Sequence, residues 1–119
     1  MKTLTLPLKK KWFDMIKSGE KKEEYRKCSE YWISRFNKLC GCFEYVFVGS
    51  HPNCIGERRV MILCDHLNCD RLVFTLGYPK AGDTERRLVF KNPKIRIGTG
   101  KSEWGAEPGK NYFVITWSE

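Results

Sequence analysis

At 119 residues, with 41% hydrophobic, 13% aromatic and 30% charged residues, the chain reads as one domain over residues 1–119, too short for two cores and too apolar to stay disordered. A formal charge of +8 favours polyanionic partners, RNA among them, although solubility alone would also account for it. The opening MKTLTLPLKKKWF has no apolar run before Lys9, which speaks against a signal peptide or membrane span and predicts a cytoplasmic protein with no membrane partner.

Lys2 to Leu6 alternates polar and apolar residues and carries β-branched threonines, so it is expected to be a strand. Pro7 suits the first turn of a helix in which Leu8, Trp12, Met15 and Ile16 form the apolar stripe, and Gly19 stands where a left-handed stop is needed. From Lys22 to Arg26 a short strand fits, and its period of two would put Lys22, Glu24 and Arg26 on one face. Lys21 belongs to the turn after Gly19, and its direction is open. Ser29 caps a second predicted helix, EYWISRFNKL, with Trp32, Phe36 and Leu39 on one side. Strand-like runs follow: FEYVFVG, RRVMILC, RLVFTLGY, RRLVFKN, KIRIG and NYFVITW. Two early helices followed by strands predict an α+β domain built round a barrel or strongly curved sheet.

Several residue groups have a plain reading beside a functional one. GTGKS, Gly98 to Ser102, has Ile95 where a phosphate-binding loop needs glycine, and no helical pattern follows; its glycines are expected to allow a sharp turn or a close approach. The six cysteines Cys28, Cys40, Cys42, Cys54, Cys64 and Cys69 are thiols or metal ligands in a reducing compartment. Zinc at Cys40, Cys42, Cys54 and neighbours, with His51 and His66, is chemically available. The paired C-x-x-C spacing is missing, so no cofactor is expected. Trp12, Phe13, Trp32 and Phe36 fall at helical spacing and read as core. Trp104, in the polar loop KSEWGAEPGK, is either a platform for stacking a base or a plug folded back into the barrel end.

The stretch GEKKEEYR, Gly19 to Arg26, holds three cations and three carboxylates in eight residues. A solvated helix end would explain it, and so would the floor of a polar pocket. Its pattern Gly19-x-Lys21-x-x-Glu24-x-Arg26 resembles the G-x-K-x-x-E-x-R signature of the ASCH domain family, in the PUA-like superfamily. TLPLKKKWFDMIKSGEKKEEYR, GYPK at Gly77 to Lys80 and IRIGTGKSEWGAEPGKNYFVI are similar to that family too. Residues 39–71 carry nothing specific to it. The resemblance implies a PUA-like β-barrel of mixed strands with two flanking N-terminal helices, and a cleft that holds RNA or a nucleoside-like ligand.

In such a cleft Lys21 and Arg26 would hold a phosphate or ring carbonyl, Glu24 would accept from an exocyclic amine, and Tyr78 or Trp104 would stack on the ring. In an enzyme, Lys21 would serve as base or nucleophile and Glu24 as proton shuttle. A branch related to the family hydrolyses N4-acetylcytidine with a threonine where this chain has Glu24, and ribonuclease activity is a further expectation from the resemblance. A protein-interaction module using the segment 39–71 is the third reading.

Overall fold

The computed structural model describes residues 2–40, 43–47, 58–62 and 69–119. The alternation at the start forms β1 (Thr3–Leu8), which buries Leu4, Leu6 and Leu8 on one face. The strand runs through Pro7, correcting its reading as the first helical residue. β1 lies at one end of its sheet, where a missing N–H removes no ladder bond. Helix α1 (Lys10–Lys17) buries Phe13 and Ile16, and Gly19 ends the turn after it at φ 86°.

β2 (Glu24–Lys27) and α2 (Glu30–Cys40) follow. Ser29 caps α2 as expected, its Oγ accepting from the Trp32 N–H at 3.5 Å, and Ile33 and Phe36 are buried. β3 (Phe43–Phe47) and β4 (Arg58–Ile62) pair as an antiparallel ribbon. The chain continues through β5 (Arg71–Leu76), β6 (Arg87–Thr99), a 3-10 turn (Ser102–Trp104) and β7 (Asn111–Ser118). RRLVFKN and KIRIG prove to be one strand. A register shift between Lys91 and Lys94, with Asn92 at φ 51°, bends the ladder without ending it.

The fold is thus α+β, with a mixed five-stranded sheet in the order β1-β5-β6-β7-β2. β1 runs parallel to β5 and the other neighbours are antiparallel. Among the described residues this sheet has two ends, β1 and β2, so hydrogen bonding does not close it as a barrel would require. Side chains cover the outer edge of β1 instead. Arg26 on β2 donates from Nη2 to the Pro7 carbonyl at 3.0 Å, and Arg35 on α2 donates to the Thr5 carbonyl at 3.4 Å. Guanidiniums there satisfy acceptors that another strand would otherwise meet.

The main core joins the inner faces of β1, β5, β6 and β7 to both helices through residues such as Leu6, Phe13, Phe36, Phe74 and Phe113. A smaller cluster of Tyr25, Trp104, Ala106, Tyr112 and Val114, with Met15 against it, packs where α1 gives way to β2. Among the described residues no helix is long and apolar enough to cross a membrane.

Candidate binding hollow at the first helix-to-strand junction

The end of α1 sets the direction of Lys21. Gly19 reverses the chain, its N–H donating to the Ile16 carbonyl at 3.1 Å, and the Lys21 N–H then donates to the Met15 carbonyl at 3.0 Å. Lys21 is thereby folded under the last turn of the helix, where only 1% of it is exposed. Its Nζ lies 2.8 Å from Glu24 Oε1 and 4.4 Å from the centre of the Trp12 ring, with the Tyr25 ring 5.7 Å away. Lys22 behaves oppositely: it is 62% exposed and sits 4.0 Å from Glu119. The expectation that Lys22 shares a face with Glu24 is therefore corrected, because β2 begins only at Glu24 and the alternation does not reach back to Lys22.

Glu24 is the hub. Oε1 also accepts from the Tyr25 N–H at 3.0 Å, and Oε2 lies 3.0 Å from Arg26 Nη1. Arg26 Nη1 also donates to the Tyr25 carbonyl at 3.0 Å, and its guanidinium carbon stands 5.2 Å from the centre of the Trp32 ring. Two cations around one carboxylate offset much of the desolvation cost of all three, provided the remaining donors and acceptors are met. They are met: no buried side-chain nitrogen or oxygen among the described residues lacks a partner. Burial still pulls the Lys21 ammonium below the ordinary lysine range. The Glu24 charge and hydrogen bond oppose that pull, and Arg26 adds to it.

These three side chains form the floor of a hollow of about 610 Å³. Trp12, Tyr25, Trp32, Trp104 and Tyr112 wall it, and Lys9, Lys27, Lys110 and Glu107 stand at its rim. The structure thus brings Lys21, Glu24, Arg26 and Trp104 together. Trp104 is 9% exposed and belongs to the small core cluster, so it is folded back and largely buried, with the remainder left as wall. Tyr78 stands apart, 92% exposed, in a neighbouring hollow of about 560 Å³ that shares only Pro7 and Trp32 with the first.

Sequence reasoning missed four wall residues, Trp12, Tyr25, Trp32 and Tyr112. The tryptophans carry a helical spacing that signals burial, but spacing does not reveal that the edge of the stripe borders a hollow. GTGKS does provide a close approach. A Cβ on Gly100 would fall 2.5 Å from the Tyr25 ring, and the adjacent Lys101 N–H donates to Tyr25 Oη at 3.0 Å. That phenol donates in turn to Glu23 at 2.9 Å, which fixes the wall beside the ion triad.

Cys28 and Cys69 are free thiols, and no cluster of three metal-binding side chains occurs among the described residues. Cys42, Cys54, Cys64, His51, His66 and the Cys40 side chain, on which the zinc alternative rests, lie outside the described residues. Compared with protein-family models, curated proteins and solved structures, the chain gave no match.

Proposed function

We propose that this chain is an ASCH-domain protein of the PUA-like superfamily, its five-stranded sheet corresponding to the barrel wall of that fold, and that it binds RNA or a nucleoside-like ligand in the hollow above Lys21, Glu24 and Arg26. One observation carries the reading: the three signature side chains, two of them buried and Arg26 largely so, converge through pairing with Glu24 on a single aromatic-walled hollow with lysines at its mouth. Mixed surface charge would not be buried in this way.

The chemistry suits a nucleobase. Glu24 accepts three bonds, and a carboxylate has about four lone-pair sites, which leaves capacity for an exocyclic amine. The indole and phenol walls offer apolar contact to a flat ring, and Lys9, Lys27 and Lys110 suit phosphate oxygens. Lys21 sets the charge of the floor from beneath, and Arg26, the most exposed of the three at 15%, faces the ligand. The test is titration with short single-stranded RNA and with nucleoside 5′-monophosphates, followed by tryptophan fluorescence. RNA affinity is expected to fall as salt rises, and Lys27→Ala or Lys110→Ala to flatten that salt dependence by about one unit of log–log slope for each phosphate contact removed. Absence of any titratable association with either probe would defeat the proposal.

A hydrolase acting on a modified nucleoside is the second reading, and the depressed Lys21 pKa with Glu24 at 2.8 Å favours it. Neutral Lys21 would take a proton from a water molecule whose oxygen attacks the acetyl carbon, and as the C–N bond breaks Glu24 would relay that proton to the leaving amine, releasing acetate. The 1% exposure of Lys21, with Trp12 over its Nζ, ranks this below binding. Turnover of N4-acetylcytidine that disappears in Lys21→Met would reverse the ranking; no turnover by the wild type would remove the second reading.

A further inference from the structure

The second hollow has an unusual lining. Among the described residues only three large hydrophobic side chains are strongly exposed, and two of them, Tyr78 at 92% and Tyr31 at 60%, border this one space. The segment that presents Tyr78 is fastened in place. Gly77 N–H donates to the Leu8 carbonyl at 3.1 Å, Thr75 Oγ1 donates to the Gly77 carbonyl at 2.7 Å, and Arg87 donates to the carbonyls of Pro79, Lys80 and Asp83. A well-bonded turn that carries an aromatic side chain out into water spares the backbone its ordering cost when a planar partner binds.

Trp32 joins this space to the first. Its ring has the Arg26 guanidinium 5.2 Å from its centre and that of Arg35 at 5.6 Å. Arg26 lines the ion-floored hollow and Arg35 the second one. Seven cations and two carboxylates line the two hollows together, and no carboxylate lines the second. A pair of aromatic-lined recesses separated by one indole, with cations on both sides, matches the alternation of flat bases and anionic linkers along a nucleic-acid strand.

We propose that the two hollows are consecutive nucleotide subsites, so that the ligand is a single RNA strand of at least two nucleotides and not a free nucleoside. One base occupies the hollow above Lys21, Glu24 and Arg26; its neighbour stacks on Tyr78 and Tyr31, and the phosphodiester between them crosses the Trp32–Pro7 wall beside Arg35. The inference rests on the binding reading of the first hollow and names its substrate class.

The test compares wild type, Tyr78→Ala and Tyr78→Phe for a fluorescein-labelled, mixed-sequence RNA decamer by anisotropy, and for nucleoside 5′-monophosphates by calorimetry. Tyr78 makes its substitution at the surface, so folding is preserved, and circular dichroism checks it. Loss of one stacked base is expected to weaken decamer binding about 5- to 150-fold in Tyr78→Ala. Tyr78→Phe should bind the decamer as wild type does, and monophosphate affinity should not change in either variant. Undiminished decamer binding by Tyr78→Ala would overturn the inference. Monophosphate binding without decamer binding would overturn it too while leaving the first hollow's reading intact; binding of neither probe would remove both.

Discussion

Two ion pairs of nearly equal geometry sit one helix apart in this molecule. Lys10 and Asp14 on α1 approach to 2.6 Å with side chains 77% and 51% exposed, whereas Lys21 and Glu24 approach to 2.8 Å with 1% and 5% exposed. Distance would rank the first pair higher, and environment reverses the order. In water a lysine and a carboxylate at contact are worth little net, because each gives up hydration and side-chain freedom for an interaction that solvent screens. Under the end of α1 the attraction is far less screened, but removing either partner strands a charge away from water. The crowded octet therefore divides in two. Lys21, Glu24 and Arg26 form a fixed electrostatic floor, and Glu20 and Lys22 remain ordinary surface.

The sharpest way to break this contrast is to remove the hub. Glu24→Ala leaves two cations without their carboxylate and is expected to cost about 3–5 kcal/mol in urea unfolding. Lys21→Met should cost clearly less, since Glu24 keeps Arg26 and the Tyr25 N–H; equal losses in the two variants would show that Glu24 is not the hub. Gly100→Ala attacks the same floor from behind. A methyl 2.5 Å from the Tyr25 ring and 2.8 Å from the Ala106 side chain is expected to destabilise by about 1–3 kcal/mol through overpacking, and wild-type stability in that variant would show that the wall yields freely.

Alkaline titration sharpens the comparison further, because two neighbours respond with opposite sign. Burial above all, with the Glu23 contact adding to it and the Lys101 N–H opposing, pushes the Tyr25 phenol from 10.0 up to about 12. The unfolded chain loses that proton first, so the stability Tyr25 contributes is complete below pH 10 and is lost as pH climbs through about 12. Lys21 is lowered from 10.5; there the native state sheds its proton first, and stability rises with pH within the window below 10.5. Tyrosinate absorbance should reveal a late-titrating phenol that is lost in Tyr25→Phe, and stability measured against pH should lose its rising limb in Lys21→Met. The smallest effect belongs to the surface pair. Asp14→Ala should change unfolding free energy by about 0.5 kcal/mol or less, and a loss comparable to that of Glu24→Ala would erase the distinction between the two pairs.

Much of the architecture was legible from local pattern. Ser29 and the stripe behind it located α2, Gly19 marked the end of the α1 turn, alternation located β1, and continuous β-branched and aromatic runs located β5 and β7, because these signals depend on neighbours a few residues away. Pro7 was misplaced because a proline fits both the first turn of a helix and an edge strand, and only the sheet order shows that β1 is an edge. The two halves of β6 looked like separate strands because Asn92 and Pro93 interrupt the pattern, while pairing with β7 carries the strand across them.

By itself the sequence determined the composition of the candidate site: which charges stand near Gly19, that Glu24 and Arg26 are two apart, and that aromatic residues are close at hand. Tertiary structure alone decided the rest. It turned Lys21 inward and Lys22 outward, folded Trp104 into the wall, placed Tyr78 in a separate hollow, and drew the β2 guanidinium onto the carbonyl of Pro7 on the opposite end of the sheet. Burial and partner choice for a charged side chain depend on which distant elements exclude water around it, and no local spacing encodes that.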